Sequence, residues 1–280
     1  MKVLVAGAGG MLSDSLVKVL NKTHDVTEAR IENLDITDKN GMEEMLSSPG
    51  PEVVINCAAY TDVDGCEDKK DFACAVNADG PKNLAQACKN HSIKLIHIST
   101  DYVFDGTKTG PYLEDDPVNP ISVYGMSKLK GEENVREQLK DHLIVRTQWL
   151  YGESGRNFVK TILKLSKDRG ELRIVNDQTG CPTYTDDLSH SIKTLMEKEC
   201  TGTYHAANSG FCTWYEFALE IFTIAEMDKK VIPIKTEESK RDAARPANSV
   251  FDCSKLKRDT GFVFRPWQEA LKECVAFLHT

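Results

Sequence analysis

The sequence predicts an α/β fold, with a doubly wound parallel sheet in the first part of the chain and a second, smaller α/β lobe after it. Short apolar runs alternate with stretches of helical periodicity up to about residue 150. The first run leads straight into a glycine-rich turn, and beyond residue 150 the alternation gives way to turn-rich polar loops. We therefore expect one domain over 1–150 and a second lobe over 151–280, with segments around 184–208 returning to the first domain.

Composition and charge exclude several classes of protein. The chain has 280 residues, 40% hydrophobic and 28% charged, as is ordinary for a soluble globular protein. A net charge of −8 argues against a nucleic-acid partner, which would require basic patches. No apolar run is long enough to span a membrane and the N-terminus lacks a signal peptide, so we expect a cytoplasmic protein with no membrane partner. The nine cysteines are scattered and indicate reduced thiols, and the seven histidines lack metal-ligand spacing, so no metal is predicted.

The first element is a strand over residues 2–6, followed by a glycine turn and a helix. Apolar residues recur at helical spacing from Leu12. A strand, a glycine turn and a helix in this order are the context of a Rossmann-type dinucleotide site, where the backbone approaches a pyrophosphate at the helix N-terminus. Gly7 and Gly10 fit the spacing Gly-x-x-Gly, and Ser13, in the third place, is small enough for close packing. A glycine turn that binds nothing is the alternative.

The second strand, predicted over residues 24–31, bears on the choice of cofactor. An acidic residue near its end, here Glu28, favours a cofactor without a 2′-phosphate, whereas Arg30 suits the phosphate of NADPH. We expect NADPH or NADH with a tilt to NADPH, although a solvated surface arginine explains Arg30 equally well. Asp35 and Ile36 follow at a position that could border the adenine.

The third strand, predicted over residues 53–60, ends in small side chains at Ala58 and Ala59, next to Tyr60. Small residues there would let a flat cofactor lie across the edge of the sheet. A helix is predicted over residues 67–91. Asn77 within it either bonds across to a neighbouring strand end or is an ordinary satisfied structural asparagine.

The fourth strand, predicted over residues 93–98, leads to the candidate catalytic residues. Tyr124 and Lys128 are four positions apart in a predicted helix and therefore share a face. A lysine ammonium beside a phenol lowers the pKa of the phenol, which could then act as a general acid near neutral pH. Thr100, at the carboxyl end of the strand, could hold a substrate carbonyl oxygen. The Tyr-x-x-x-Lys pair alone is weak evidence and also fits two ordinary surface residues.

The rest of the chain supplies a loop, one more strand of the first domain, and the second lobe. Glycines and prolines predict a loop over 105–120, and a strand follows over 143–147. Trp149 comes just past the end of that strand, where doubly wound sheets bind ligands, so we expect it to stack on the substrate rather than fill the core. The lobe elements are predicted as helices near 158–165, 188–195, 214–227 and 266–278, with strands near 172–175, 202–208 and 231–234.

Several segments carry a resemblance to a known family. They lie at 58–64 (Ala-Ala-Tyr-Thr-Asp-Val-Asp), 99–104 (Ser-Thr-Asp-Tyr-Val-Phe), 146–152 (Arg-Thr-Gln-Trp-Leu-Tyr-Gly), 157–158 (Asn-Phe), 176–183 (Asn-Asp-Gln-Thr-Gly-Cys-Pro-Thr) and 244–246 (Ala-Arg-Pro). With the glycine turn, Thr100 and the Tyr124–Lys128 pair, they resemble the extended short-chain dehydrogenase/reductase superfamily. The finer similarity, over nearly the whole chain, is to dTDP-4-dehydrorhamnose reductases, the last enzymes of dTDP-L-rhamnose synthesis.

The resemblance implies roles for particular residues. The catalytic residues would be Thr100, Tyr124 and Lys128. The cofactor would be lined by Gly7, Gly10, Met11, Leu12, Asp35, Ile36, Ala58, Ala59, Tyr60, Tyr124 and Lys128. The substrate would be contacted by Thr100, Asp101, Tyr102 and Trp149, with Gln178 and Arg245 at its diphosphate end. Two departures from the family pattern are Ser13, which could loosen the pyrophosphate turn, and Gln148, which touches the substrate side.

The implied activity is an NAD(P)H-dependent reduction of dTDP-4-dehydrorhamnose to dTDP-L-rhamnose, for nucleotide-sugar and cell-surface polysaccharide synthesis. The implied partner is thus a dTDP-4-keto-6-deoxy sugar, and a homodimer remains open. One alternative is a reductase or epimerase of another nucleotide sugar. The other is a non-catalytic NADP-binding regulatory subunit, like that of methionine adenosyltransferase, although such a subunit would not need all three catalytic side chains.

Overall fold

The computed structural model describes residues 1–47 and 50–278, which form the predicted α/β fold around a parallel sheet of six strands. Hydrogen-bonded neighbours follow the order β10-β5-β4-β3-β1-β2, and each adjacent pair is parallel. The strands of this sheet are β1 (Lys2–Ala6), β2 (Asp25–Ala29), β3 (Val53–Asn56), β4 (Lys94–Thr100), β5 (His142–Thr147) and β10 (Gly202–His205). The inner strands of this sheet are near-continuous apolar runs because helices cover both faces of the sheet.

The helices differ from the prediction mainly at residues 67–91. That segment is not one helix: α3 ends at Asp68, Lys69 leaves helical geometry with φ −116° and ψ 50°, and a π-helical turn over Ala75–Asp79 joins α4 to α5. The helices are α1 (Met11–Leu20), α2 (Lys39–Leu46), α3 (Val63–Asp68), α4 (Lys70–Cys74), α5 (Gly80–Asn90), α6 (Val123–Gln138), α7 (Phe158–Asp168), α8 (Thr185–Glu197), α9 (Trp214–Ile224), α10 (Ser254–Thr260) and α11 (Trp267–Leu278).

Two hydrophobic clusters hold the sheet between its helices. On one face, Leu16 of α1 and Leu188 of α8 pack against Val5 and Ile55. On the other face, side chains of α2, α5 and α6 pack against the same strands, with Leu84 fully buried. Burial of such a leucine contributes roughly 1.5–3 kcal/mol relative to leaving it exposed.

The second lobe has its own core between α7, α9 and α11. Short strand pairs frame it: β7 with β12, β6 with β9, and β8 with β11. These strands are β6 (Leu150–Tyr151), β7 (Glu171–Val175), β8 (Thr179–Gly180), β9 (Thr183–Tyr184), β11 (Cys212–Thr213) and β12 (Lys230–Ile234).

Parts of the second half of the chain return to the sheet. Helix α8 packs on α1, and β10 pairs with β5 at the edge of the sheet. Leu256 of α10 and Phe264 also lie in the cluster on the α1 face, beyond the 184–208 segment that the sequence suggested. None of the described helices is long and apolar enough to cross a membrane.

Candidate active site

The glycine turn lies where the strand order reverses, between β1 and β3, which is where doubly wound sheets bind their ligands. Gly7 has φ +80°, and a Cβ atom placed on it would lie 2.5 Å from the backbone nitrogen of Ala58. No larger residue fits there without moving the backbone. The turn thus approaches the end of β3 closely and leaves Gly9 and Gly10 exposed at the N-terminus of α1.

Ser13 tightens this turn rather than loosening it. Its side chain is fully buried, its hydroxyl donates to the Gly10 carbonyl at 2.9 Å, and it accepts from the Gly10 N–H at 2.9 Å. The two hydrogen bonds cap the first turn of α1. Ser13, in the place of a third glycine, therefore stabilises the turn through its own hydrogen bonds.

Arg30 lies over the glycine turn. A Cβ atom on Gly9 would be 3.0 Å from its Nη1 atom, and the side chain is 58% exposed, 3.9 Å from Glu28. An exposed guanidinium beside a pyrophosphate turn suits a 2′-phosphate. The glycine cradle and this cation therefore fit a phosphorylated dinucleotide.

The adenine-side residues divide between surface and core. Asp35 is exposed, and its carboxylate accepts from the N–H and the hydroxyl of Thr37, both at 2.8 Å. Ile36 is 4% exposed and packs against Gly80, so its side chain belongs to the core. Leu12 is likewise a core residue, whereas Met11 is half-buried at the helix start.

Asn77 links the segment that follows β3 to helix α6 by hydrogen bonds. Its amide oxygen accepts from the Tyr60 N–H at 2.8 Å, and its amide nitrogen donates to the Tyr60 carbonyl and the Ser127 hydroxyl, each at 3.0 Å. The π-helical turn presents the side chain, which is fully buried. Asn77 thus bonds to the segment that follows β3, and both its amide oxygen and its amide nitrogen have hydrogen-bond partners. Both interpretations of this residue from the sequence therefore hold. Ala58, Ala59 and Tyr60 are half-buried beside it.

The structure brings the three predicted catalytic residues together. Thr100 ends β4, Tyr124 lies in the first turn of α6, and Lys128 follows one turn later; all three are buried, with 6%, 9% and 2% exposure. The Thr100 side chain lowers the pKa of the Tyr124 phenol, although burial outweighs this effect. Ser122 caps α6 by accepting from the Gly125 N–H at 3.2 Å.

The expected lowering of the Tyr124 pKa is wrong for the site as it stands. Burial raises the pKa of the phenol well above its usual range, against the opposing effect of the Thr100 side chain. The Lys128 ammonium instead donates to the Ile98 carbonyl at 2.7 Å. Burial lowers the pKa of Lys128 to about 8, while the charge of Glu132 opposes that shift.

A buried ion pair lies one turn beyond Lys128 and was not predicted. Arg146 on β5 donates twice to the Glu132 carboxylate, at 2.9 and 2.8 Å, and Ser99 donates to it at 2.6 Å. Burial alone would raise the pKa of Glu132, but Arg146 outweighs it and the pKa falls to about 2. The partners are far apart in sequence, so no local pattern signals them.

An open cleft of about 730 Å³ is lined by Tyr102, two residues beyond Thr100 in the chain, and by Gln178 and Arg245. Phe158 and Trp214 supply its aromatic wall. Its rim carries cations at Arg173, Lys240 and Arg241. Arg245 is oriented by Asp64, to which it donates at 2.9 Å. The cleft has the size and the charge to hold an anionic ring-bearing ligand.

Trp149 is half-buried next to this wall, and Gln148 is buried beside it in the chain. Trp149 stacks on Trp214 with ring centroids 3.5 Å apart, and a Cβ atom on Gly180 would be 2.5 Å from its ring. Trp214 lines the cleft, and stacking of the half-buried Trp149 on the substrate stays a prediction. Gln148 is 2% exposed and donates to the Ser249 carbonyl at 2.7 Å, so it is a structural link rather than a substrate contact.

Asp101 also lies behind the cleft surface. Its carboxyl is 2% exposed and accepts from the Thr100 hydroxyl at 3.0 Å. Of the residues predicted to meet the sugar nucleotide, Tyr102, Gln178 and Arg245 line the cleft.

Residues 1–279 match the family described as RmlD substrate binding domain. The spore coat polysaccharide biosynthesis protein SpsK of Bacillus subtilis is 41% identical, over 97% of this chain and 96% of its own length. A dTDP-4-dehydrorhamnose reductase of Aggregatibacter actinomycetemcomitans is 39% identical over 99% of both chains. A dTDP-4-keto-6-deoxy-D-glucose reductase of Streptomyces niveus is 36% identical over 99% of this chain and 97% of its own.

Solved structures agree in fold. A dTDP-4-dehydrorhamnose reductase ortholog of Clostridium acetobutylicum has a TM-score of 0.98 and 44% identity, covering 100% of both chains. A dTDP-4-dehydrorhamnose reductase of Bacillus anthracis, solved in complex with NADP, has a TM-score of 0.96 and 40% identity, covering 100% of this chain and 99% of its own.

Proposed function

We propose, from the premise that the chain belongs to the dTDP-4-dehydrorhamnose reductase family, that it is an NADPH-dependent reductase that converts dTDP-4-dehydrorhamnose to dTDP-L-rhamnose. The observation that carries the proposal is the buried trio of Thr100, Tyr124 and Lys128, together with the glycine turn at the N-terminus of α1. The intact trio favours an enzyme over a purely cofactor-binding subunit.

The residues fit a phosphorylated dinucleotide. The exposed turn at Gly9 and Gly10 would hold the pyrophosphate, with Arg30 at the 2′-phosphate and the Ala58–Tyr60 segment, which follows β3, along the ring system. When bound, the nicotinamide cofactor supplies a hydride, that is, two electrons and a proton, to the carbonyl carbon.

The protein supplies the proton and the electrostatics. Tyr124 donates its phenolic proton to the carbonyl oxygen, which completes the secondary alcohol. A phenol held neutral by burial keeps that proton until charge develops on the substrate oxygen. Lys128, held charged by Glu132, then stabilises the phenolate that remains.

The two parts of the chain divide the substrates between them. The domain over 1–150, completed by α8 and β10, would hold the cofactor, and the lobe would hold the sugar nucleotide. The cations on the cleft rim suit the diphosphate, and the Trp214–Phe158 wall suits a flat base. The product would serve cell-surface polysaccharide synthesis.

A second substrate is favoured by the Streptomyces niveus relative, which is named for dTDP-4-keto-6-deoxy-D-glucose. The test is NADPH oxidation by the purified protein with each 4-keto sugar in turn, with the product configuration at C4 and C5 read by NMR. A higher kcat/KM for dTDP-4-dehydrorhamnose supports the proposal. Turnover of the D-glucose derivative alone selects the second substrate, and cofactor binding without turnover of either sugar rejects both.

A further inference from the structure

Asp101 is a buried carboxyl with one oxygen left unsatisfied. It begins a short 3₁₀ turn directly after Thr100. Its Oδ1 atom accepts from the Thr100 hydroxyl at 3.0 Å, whereas Oδ2 has no hydrogen-bond partner among residues 1–47 and 50–278. A carboxylate is costly to bury in this way, so the site favours the protonated acid.

This hydrogen bond restricts what Thr100 can do. A hydroxyl has one hydrogen, and an ionised carboxylate only accepts, so ionised Asp101 takes the hydrogen of Thr100. The Thr100 oxygen also accepts from the Tyr102 N–H at 3.3 Å. Thr100 then has no hydrogen to offer a substrate carbonyl.

We propose that Asp101 is a positioning residue that acts through Thr100: when its carboxyl is protonated, the hydrogen bond between them reverses and the Thr100 hydroxyl turns to donate to the substrate carbonyl. This inference rests on the proposed reduction of a carbonyl substrate. Asp101 itself does not line the cleft, which Tyr102 reaches instead.

The surroundings of Asp101 support a protonation change in an accessible range. Burial raises its pKa to about 6, against the opposing effect of the nearby Ser249 and Thr100 hydroxyls, of which Ser249 donates to the Gln148 Oε1 atom at 3.0 Å rather than to Asp101. The titratable groups that face it are Tyr124 from α6, the adjoining Tyr102 and Cys181 from the loop after β8. Burial raises the pKa of each of these well above its usual value, so none of them loses its proton near pH 6. The cation Arg245 faces Tyr102 and is paired with Asp64.

The experiment measures kcat at saturating NADPH and 4-keto sugar between pH 5.5 and 7, below the range in which Lys128 titrates. If the protonated acid is the active form, wild-type kcat falls roughly fivefold to tenfold across this interval. Asp101→Asn can donate from its amide at every pH and should give a flat profile. Thr100→Val, which has no hydroxyl, should be slower and equally flat, and adding Asp101→Asn to it should not change the shape further.

Controls separate this role from a general effect of buried charge. Thr100→Ser restores the hydroxyl and should restore the slope, which keeps the test valid even if Asp101→Asn does not fold. Glu114→Gln removes another half-buried carboxyl whose pKa is raised by burial, and it should leave the slope as in wild type. A slope that persists in Asp101→Asn or in Thr100→Val overturns the inference.

A measurement without substrate keeps the inference separate from the proposed function. Infrared difference spectra between pH 5 and 7 should show a protonated carboxyl band that is lost as the pH rises and is missing in Asp101→Asn. Absence of this band in wild type overturns the inference whatever the substrate is. A wild-type protein that has the band but reduces neither 4-keto sugar would instead reject the proposed function.

Discussion

Tyr124 lies buried in the first turn of α6, and the Thr100 side chain is among the groups that influence the pKa of its phenol. Tyr124→Phe keeps the ring and removes the donor, so kcat should fall by about 10²–10⁴-fold while the fold survives. The measurement is NADPH oxidation beside a thermal melt. Tyr112→Phe is the matched control, because that hydroxyl donates to Asp105 at 3.1 Å, outside the trio, and should leave kcat unchanged. A Tyr124→Phe protein with near wild-type turnover would falsify the proton-donor role.

Arg30 carries the expected preference for NADPH. Arg30→Ala should lower kcat/KM for NADPH by roughly 10- to 100-fold and barely change that for NADH, because a charge-assisted contact to the 2′-phosphate contributes about 1.5–3 kcal/mol. Arg258→Ala, on the exposed surface of α10, controls for the loss of a positive charge. Equal effects on both cofactors, or none, would show that Arg30 is a solvated surface residue.

The positions of some site residues could be predicted from the sequence, whereas their tertiary contacts could not. The trio was predictable because Tyr124 and Lys128 share one helix face and Thr100 ends a strand. Trp149 was placed correctly just past β5, yet the sequence could not show that Trp214, 65 residues later, would cover its ring. The Glu132–Arg146 pair and the burial of Asp101 likewise depend on strand order and not on local spacing.

Among the elements, helix α6 must come unusually close to the segment after β4. A Cβ atom on Gly125 would lie 2.2 Å from the Tyr102 carbonyl oxygen, which is a backbone atom and cannot rotate away. Gly125 therefore sets the distance between Tyr124 and Thr100. The approach of two backbones explains a glycine inside a helix, where it otherwise costs about 1 kcal/mol relative to alanine.

Gly125→Ala should push α6 away from Thr100 and lower kcat on the order of 10²-fold, because small displacements of reacting groups are costly. KM for NADPH should change much less, since the glycine turn belongs to another element. Gly170→Ala is the control, because a Cβ atom there meets no other atom within 4 Å. An active Gly125→Ala protein would mean that α6 adjusts without moving Tyr124.

The helices and strands were predicted correctly where the hydrophobic periodicity is regular. The prediction failed where tertiary contacts determine the local backbone structure. Strand β1 and helix α1 follow from an apolar run and helical spacing. The break at Lys69 and the π-helical turn at Ala75–Asp79 interrupt a sequence pattern that predicts one helix. The π-helical turn is stabilised by the hydrogen bond between Asn77 and the Tyr60 backbone. The two-residue strands β6, β8, β9 and β11 are too short to produce any periodic signal.

At the scale of the whole molecule, two buried histidines couple folding to pH. His97 lies within the central sheet and His205 ends its edge strand β10, and each is 0% exposed. Burial lowers the pKa of His97 well below its usual value and that of His205 to about 3. Nearby cations add to the shift, Lys128 for His97 and Arg146 for His205.

The sign of this coupling predicts loss of stability in acid. Between pH 6.5 and the lower pKa values of these histidines in the folded protein, the unfolded chain binds protons that the folded chain does not bind. The free energy of unfolding therefore falls as the pH falls. Each histidine should contribute about 1.4 kcal/mol of lost stability per pH unit below 6.5. Urea titrations of wild type and His205→Gln between pH 7 and 5 measure this slope, which the variant should reduce by about that amount. His190→Gln, at an exposed position on α8, should keep the wild-type slope. A His205→Gln slope equal to that of wild type would show that the folded protein admits the proton at this site, and that burial of the imidazole does not oppose folding in acid.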